Sequence, residues 1–298
     1  MSKVKARGGP RPPRDSDPPA ASGKFRVASK AEQADVTERI ELEAVPASEP
    51  TRARKGAVPR KAALSATACL ERAMKAKTPA ARGRYARRGL VGLCDRETQA
   101  LLLRQLYLGE LEGGDFARAR QVAEQLIELG VLPDVARHDA ARACQALGAL
   151  DDAITHLRAA VEVAPAQRRG FHLSTLGSLL YVAGKSADAE APLEAALAAP
   201  EAALPLLRGQ LALVRHELGE DDGGLDLAYH ELLHDRCGEG YGRFVLGELA
   251  YARGDRRSAQ LYLEAFLAKV RRSRPAARAA LSPEVTRAEQ TLGRIVWN

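Results

Sequence analysis

Single glycines recur down this chain at nearly constant intervals: Gly114, Gly148, Gly184, Gly219 and Gly254 are separated by 34, 36, 35 and 35 residues. A period of that length, kept through five copies, restricts the fold to an array of one supersecondary unit that meets its neighbours in the same way each time. The residues between the glycines say what the unit is. Five positions after each glycine stands a small residue: Ala119, Ala153, Ala189, Gly224 and Ala259. Four positions further on come Ala123, Leu157, Leu193, Ala228 and Leu263, and seven further on Leu126, Ala160, Ala196, Glu231 and Phe266. An i, i+4, i+7 stripe is one face of an amphipathic helix. Upstream of the glycines a partner helix carries Leu106, Ala140, Leu176, Leu211 and Leu246, followed in most copies by a small residue (Ala141, Gly177, Ala212, Gly247). Small residues let two antiparallel helices approach closely, and a glycine supplies the positive φ that ends the first of them. One hairpin cannot hide its own apolar stripe. Stacking neighbours does, so an array follows.

Pro133, Pro165 and Pro200 close three of the units. Taken with the glycine register and the small crossing residues, the pattern resembles the tetratricopeptide repeat family, whose unit is a helix, a tight turn and a helix in about 34 residues. The resemblance is good over 133–165, 169–200 and 239–267. It is weaker where Tyr107 stands at the small position of the 100–133 unit, and where Gly224 and Glu231 interrupt the 204–237 unit. A degenerate unit is expected at about 62–95, with Ala81 and Tyr85 on its second helix. Ser282-Pro283-Glu284 reads as an N-cap and first turn, opening a terminal capping helix over about 283–296. The resemblance implies an all-α fold: an α-solenoid, a right-handed superhelix of about six hairpins, with a concave face lined by the first helix of each unit. It also implies an interaction scaffold, with a protein or peptide partner in that concave groove and no cofactor, small-molecule substrate or catalysis of its own.

Composition agrees with an all-helical chain. Aromatics are 4%, and alanine, leucine, arginine and glutamate dominate over the β-branched and aromatic residues that fill sheets. The net charge is +7, but residues 1–60 hold 13 Lys plus Arg against 8 Asp plus Glu, so most of the excess lies there. The same segment has half of the sixteen prolines, including Pro12-Pro13 and Pro18-Pro19. It reads as a disordered basic tail, with 61–298 as the repeat domain. Four scattered cysteines form no CxxC pair, there is no signal-like apolar segment, and no apolar run reaches the roughly 18–20 residues of a membrane helix. The expectation is a bacterial cytoplasmic protein without a membrane partner.

Helical periodicity places on the concave face Leu101, Arg104, Leu108 and Leu111; Val135, His138, Arg142 and Gln145; Phe171, Ser174, Ser178 and Tyr181; Leu206, Leu213 and His216; and Tyr241, Phe244, Glu248 and Tyr251. Arg104, His138 and Arg142 give one end a cationic character suited to carboxylates. Phe171, Tyr181, Tyr241, Phe244 and Tyr251 gather the chain's few aromatics toward the other. Arginines and aromatics are the side chains that anchor interfaces. The candidate groove is therefore Arg104, Leu108, His138, Arg142, Gln145, Phe171, Tyr181, His216, Tyr241, Phe244 and Tyr251.

One motif points to chemistry instead. His230-Glu231-Leu232-Leu233-His234 fits HExxH, in which two histidines on one helix face bind zinc and the glutamate acts as general base. Cys237 or Glu239 would be the third ligand. Against this stand its place on the second helix of a repeat, and Cys237 and Gly240 where the extended motif has glycine and histidine. A zinc hydrolase is the catalytic alternative. A further alternative is a regulatory protein touching nucleic acid through its basic tail, helped by Lys269, Arg271, Arg272 and Arg274. No phosphate-cradling loop, dinucleotide fingerprint or nucleophile elbow is present.

Overall fold

A computed structural model describes residues 64–199, 204–220, 223–235 and 240–297. The tail expected at 1–60 lies outside them, as do Pro200, Cys237 and Glu239. The chain divides into two units, 1–60 and 61–298, and every described residue belongs to the second.

Among the described residues the structure is helical throughout, with fourteen helices and no strand. Twelve pair into six antiparallel hairpins: α1 (Ala66–Met74) with α2 (Pro79–Leu90), α3 (Arg96–Gly113) with α4 (Phe116–Leu129), and α5 (Pro133–Ala146) with α6 (Leu150–Val163). The next three are α7 (Ala166–Val182) with α8 (Ser186–Leu197), α9 (Leu204–Glu217) with α10 (Gly224–His234), and α11 (Tyr241–Ala252) with α12 (Arg256–Arg271). Each hairpin packs on the next, which makes this an α-solenoid of tetratricopeptide-like type. Two further helices, α13 (Pro275–Ala280) and α14 (Ser282–Trp297), follow the last hairpin.

The glycine register is the turn inside the last five of the six hairpins. All five register glycines take positive φ, from 72° at Gly184 to 86° at Gly114. Where aspartate follows, one dipeptide ends one helix and starts the next. Asp115 accepts from the Arg118 N–H at 3.1 Å and Asp255 from the Ser258 N–H at 3.0 Å, capping α4 and α12.

The second-helix stripe is the core. Ala119, Ala153, Ala189 and Ala259 are fully buried, with Leu157, Leu193, Leu263, Ala160 and Phe266 beside them. The crossing positions require small residues for a measurable reason. A Cβ on Gly177 would stand 2.6 Å from Leu193 Cγ, and one on Gly247 2.6 Å from Leu263 Cγ. Tyr107, the large residue at this position, is accommodated: it is completely buried and its hydroxyl donates to the Asp139 carbonyl at 2.9 Å, tying α3 to α5.

Candidate functional site: the inner face of the hairpin stack

The first helices of the hairpins, α3, α5, α7, α9 and α11, line the inner face, which falls into two halves. Toward α3, α5 and α7 the expected cationic end is a polar cluster with its own internal pairing. Asp134, only 1% exposed, takes a bidentate bond from Arg168, with Nε at 2.7 Å and Nη2 at 2.8 Å. His172 Nε2 is 3.1 Å from the same carboxylate, and His172 Nδ1 faces His138 Nδ1 at 3.4 Å. Burial works to raise the Asp134 carboxyl, but the Arg168 and His172 bonds outweigh it and hold it below the ordinary value. Burial pushes both imidazoles down, His138 well below, helped there by Arg142, His172 and Arg104. Neutral rings fix the tautomers: His172 Nε2–H donates to Asp134, leaving its Nδ1 to accept from His138 Nδ1–H. His138 thus contributes no charge at neutral pH, and the cationic character rests on the arginines.

Arg104 Nε lies 3.6 Å from Asp139 Oδ2, an ion pair rather than a hydrogen bond. Asp139 is buried, and desolvation raises its carboxyl against the pull of Arg104 and Arg142. Arg142 is half-buried and has no hydrogen-bond or ion-pair partner among the described residues. Phe171 is 53% exposed although its ring stacks on His138 with centroids 4.9 Å apart, so this half offers an open aromatic beside guanidinium groups. Leu108 packs at the margin of the core beneath.

The other half is covered by the chain itself. Helix α14 was expected as a solvating cap. It packs on α12, but also on α11 and α7. Helix α13 packs on α5 and α3, and Gln145 Nε2 donates to the Ala280 carbonyl at 2.6 Å. The segment 275–297 therefore reaches first helices in both halves of the inner face, α3 and α5 as well as α7 and α11. Its anchor is Arg287, whose Nε donates to Glu248 Oε2 at 2.8 Å and Nη2 to the Tyr181 hydroxyl at 2.7 Å. Nη2 also pairs with Glu217, and the guanidinium lies over the Tyr181 ring, 4.0 Å from its centroid. Thr291 Oγ1 donates to Glu248 Oε1 at 2.8 Å.

The aromatic end is mostly spent on this packing. Tyr181 and Phe244 are buried, with Phe244 against Phe266 at 5.4 Å. Tyr241 is half-buried, and its hydroxyl accepts from Gln210 Nε2 at 2.9 Å; the same nitrogen reaches Ser178 Oγ at 2.8 Å. Tyr251 is half-buried against the core, and His216 stands exposed at the end of α9. Sequence reasoning missed Arg287, Glu217 and Thr291, and also the Asp134–Arg168–His172 set. A signal existed for the latter: Asp134 and Arg168, and His138 and His172, stand 34 residues apart, one repeat length, so stacking sets them side by side.

On α10, His230 and His234 are exposed, and Glu231 receives Arg208 Nη1 at 3.1 Å on both carboxylate oxygens. The carboxylate that would serve as general base is thus engaged by a guanidinium of α9. Among the described residues no group of three or more His, Cys, Asp or Glu is arranged to hold a metal ion, and no helix is long and apolar enough to cross a membrane.

A stack of helical hairpins with a lined inner face defines the class: a tetratricopeptide-like helical-repeat protein. No protein-family model matches the chain, and no curated protein matches its sequence. Among solved structures it is similar to the MamA protein, at 18% identity over 64% of this chain and 94% of that one, with a TM-score of 0.43. A second MamA crystal structure matches at 20% identity over 62% and 97%, with a TM-score of 0.41. Rap protein complexed with competence and sporulation factor matches at 14% identity over 77% and 74%, with a TM-score of 0.48.

Proposed function

We propose that this chain is a non-enzymatic protein-interaction adaptor that takes an acidic segment of a partner protein on the α3–α5–α7 half of its inner face. The observation that carries the reading is Phe171, more than half exposed on the inner face and packed against the neutral His138 ring. Aromatic rings of this type dominate interface energies where a partner covers them. Arg142 and Arg104 supply the complementary charge: a carboxylate brought against Arg142 gains a charge-assisted bond without breaking one. His138, packed against Phe171, belongs to the same surface.

The test is affinity capture with the full chain and with a Phe171→Ala, Arg142→Glu double variant, quantifying each captured protein. Circular dichroism on both confirms equal helix content. Partners that depend on this surface fall at least tenfold in the variant. Capture of the same proteins in the same amounts sinks the reading.

A further inference from the structure

The segment 275–297, whose α13 lies on α3 and α5 and whose α14 lies on α7 and α11, contains a flaw. Glu284, in the first turn of α14, is 4% exposed, and its Oε2 has no hydrogen-bond partner. A buried carboxylate oxygen without a donor is expensive to keep charged and much cheaper to keep protonated. The groups around it offer no cation. From α11 it faces the Tyr241 phenol, itself held neutral by burial. From α9 and α7, Gln210 and Ser178 point their polar atoms at one another and at Tyr241. On its own helix Arg287 is committed to Glu217, Glu248 and Tyr181. Only its own backbone N–H favours the charged form, and Thr291 and Glu248 are bonded to each other two turns further along.

The rest of the segment is built to come away as a piece. It leaves α12 through 272–274, runs as the six-residue α13, and turns at Leu281 into α14. Its hold on the inner face includes the Gln145 bond to Ala280, the Arg287 cluster, the Thr291 bond to Glu248, Ala276 against the α3–α5 core, and the partly buried Leu281, Val285, Leu292 and Ile295 around the buried Ala288. No disulfide ties it down among the described residues.

We propose that α13 and α14 form a strap over the inner face whose docking is controlled by Glu284: the strap is held while that carboxyl is protonated and loosens as it ionises, uncovering Tyr181, Tyr241 and Glu248. The inference stands whether or not the Phe171 surface binds a partner. Burial pushes the Glu284 carboxyl up to about 7. In the released strap it titrates near the ordinary value of about 4.3, so the released form gains protonation-linked stability between about pH 4.3 and 7 and no more above that. The docking equilibrium weakens across this window by roughly a hundredfold or more.

Hydrogen exchange on the full chain tests it, with protection factors normalised for intrinsic rates between pH 4.5 and 8. Protection of amides in 285–295 falls by about two orders of magnitude up to pH 7 and then levels, while α3 to α6 keep theirs. In Glu284→Gln, which keeps the shape and cannot ionise, α14 protection does not change with pH. Wild-type protection in α14 that is independent of pH overturns the proposal. So does an equal fall in Glu284→Gln, and so does a parallel loss in α3 to α6, which would mark global unfolding.

Discussion

The Arg287 guanidinium lies over the ring of Tyr181, 4.0 Å from its centroid, and donates from Nη2 to that residue's hydroxyl, so one side chain of the last helix is clasped by a residue 106 positions earlier. The same guanidinium is the cation for Glu248, which is 4% exposed. Removing it strands a buried carboxylate. Arg287→Ala is therefore expected to destabilise the domain by about 3–5 kcal/mol, the usual result of breaking a buried pair from one side. Arg287→Lys recovers only part of this, since an ammonium cannot bond Glu248, Glu217 and the phenol at once. Urea denaturation of the three proteins gives the values, and a loss below about 1 kcal/mol for Arg287→Ala contradicts the assignment.

Two glycine substitutions should have opposite signs. At Gly247 a methyl group would press into Leu263 Cγ at 2.6 Å and stand 3.3 Å from the Leu263 nitrogen, so Gly247→Ala is expected to cost about 1–3 kcal/mol. At Gly293, inside α14, a methyl group meets nothing within 4 Å. Gly293→Ala is expected to stabilise by about 0.5–1 kcal/mol through helix propensity. Thermal melting of both variants checks the pair.

The Tyr107 hydroxyl is buried with a single partner, the Asp139 carbonyl. Tyr107→Phe keeps the ring and loses the bond, for an expected cost of about 1 kcal/mol. Tyr107→Ala also leaves a cavity between α3 and α5 and is expected to cost about 3–5 kcal/mol. Equal costs for the two in chemical denaturation would show that the hydroxyl matters as much as the ring and refute this ordering.

The α5–α7 cluster predicts sensitivity to acid. His138 and His172 are held below the ordinary imidazole value, chiefly by burial, so below about pH 6.5 the unfolded chain takes up protons that the folded chain refuses. Stability from this source falls as pH drops below 6.5. Asp134, held low once Arg168 and His172 outweigh its burial, adds a further loss below about pH 4. Glu284 and Asp139, both raised by burial, act in the opposite direction, so the measurement belongs in a Glu284→Gln, Asp139→Asn background. Urea midpoints there should decline from pH 7 to pH 5, and His172→Gln should flatten the decline. A midpoint that rises toward pH 5 is incompatible with two neutral buried imidazoles.

The surface around Phe171 and Arg142 was partly legible in the sequence, because helical periodicity alone assigns both to the inner face of their helices. The pairing of Asp134 with Arg168 was latent in their 34-residue separation, which stacking converts into adjacency. Gln145, Tyr181 and Tyr241 share that inner face, yet periodicity could not say what would lie against them. The answer came from residues 275–297, whose hydrogen bonds to the first helices span 39 to 135 positions.

By itself the sequence determined the hairpins: a glycine every 34 to 36 residues, small residues at the crossings and an apolar stripe between them are local or one-repeat relations, and local rules decode them. Only the tertiary structure decided where the chain's end goes. The final helix could pack as a cap or fold inward with similar local propensity. The choice was made by two carboxylates and a tyrosine on three separate helices, which become a binding pocket for Arg287 only once the solenoid has formed.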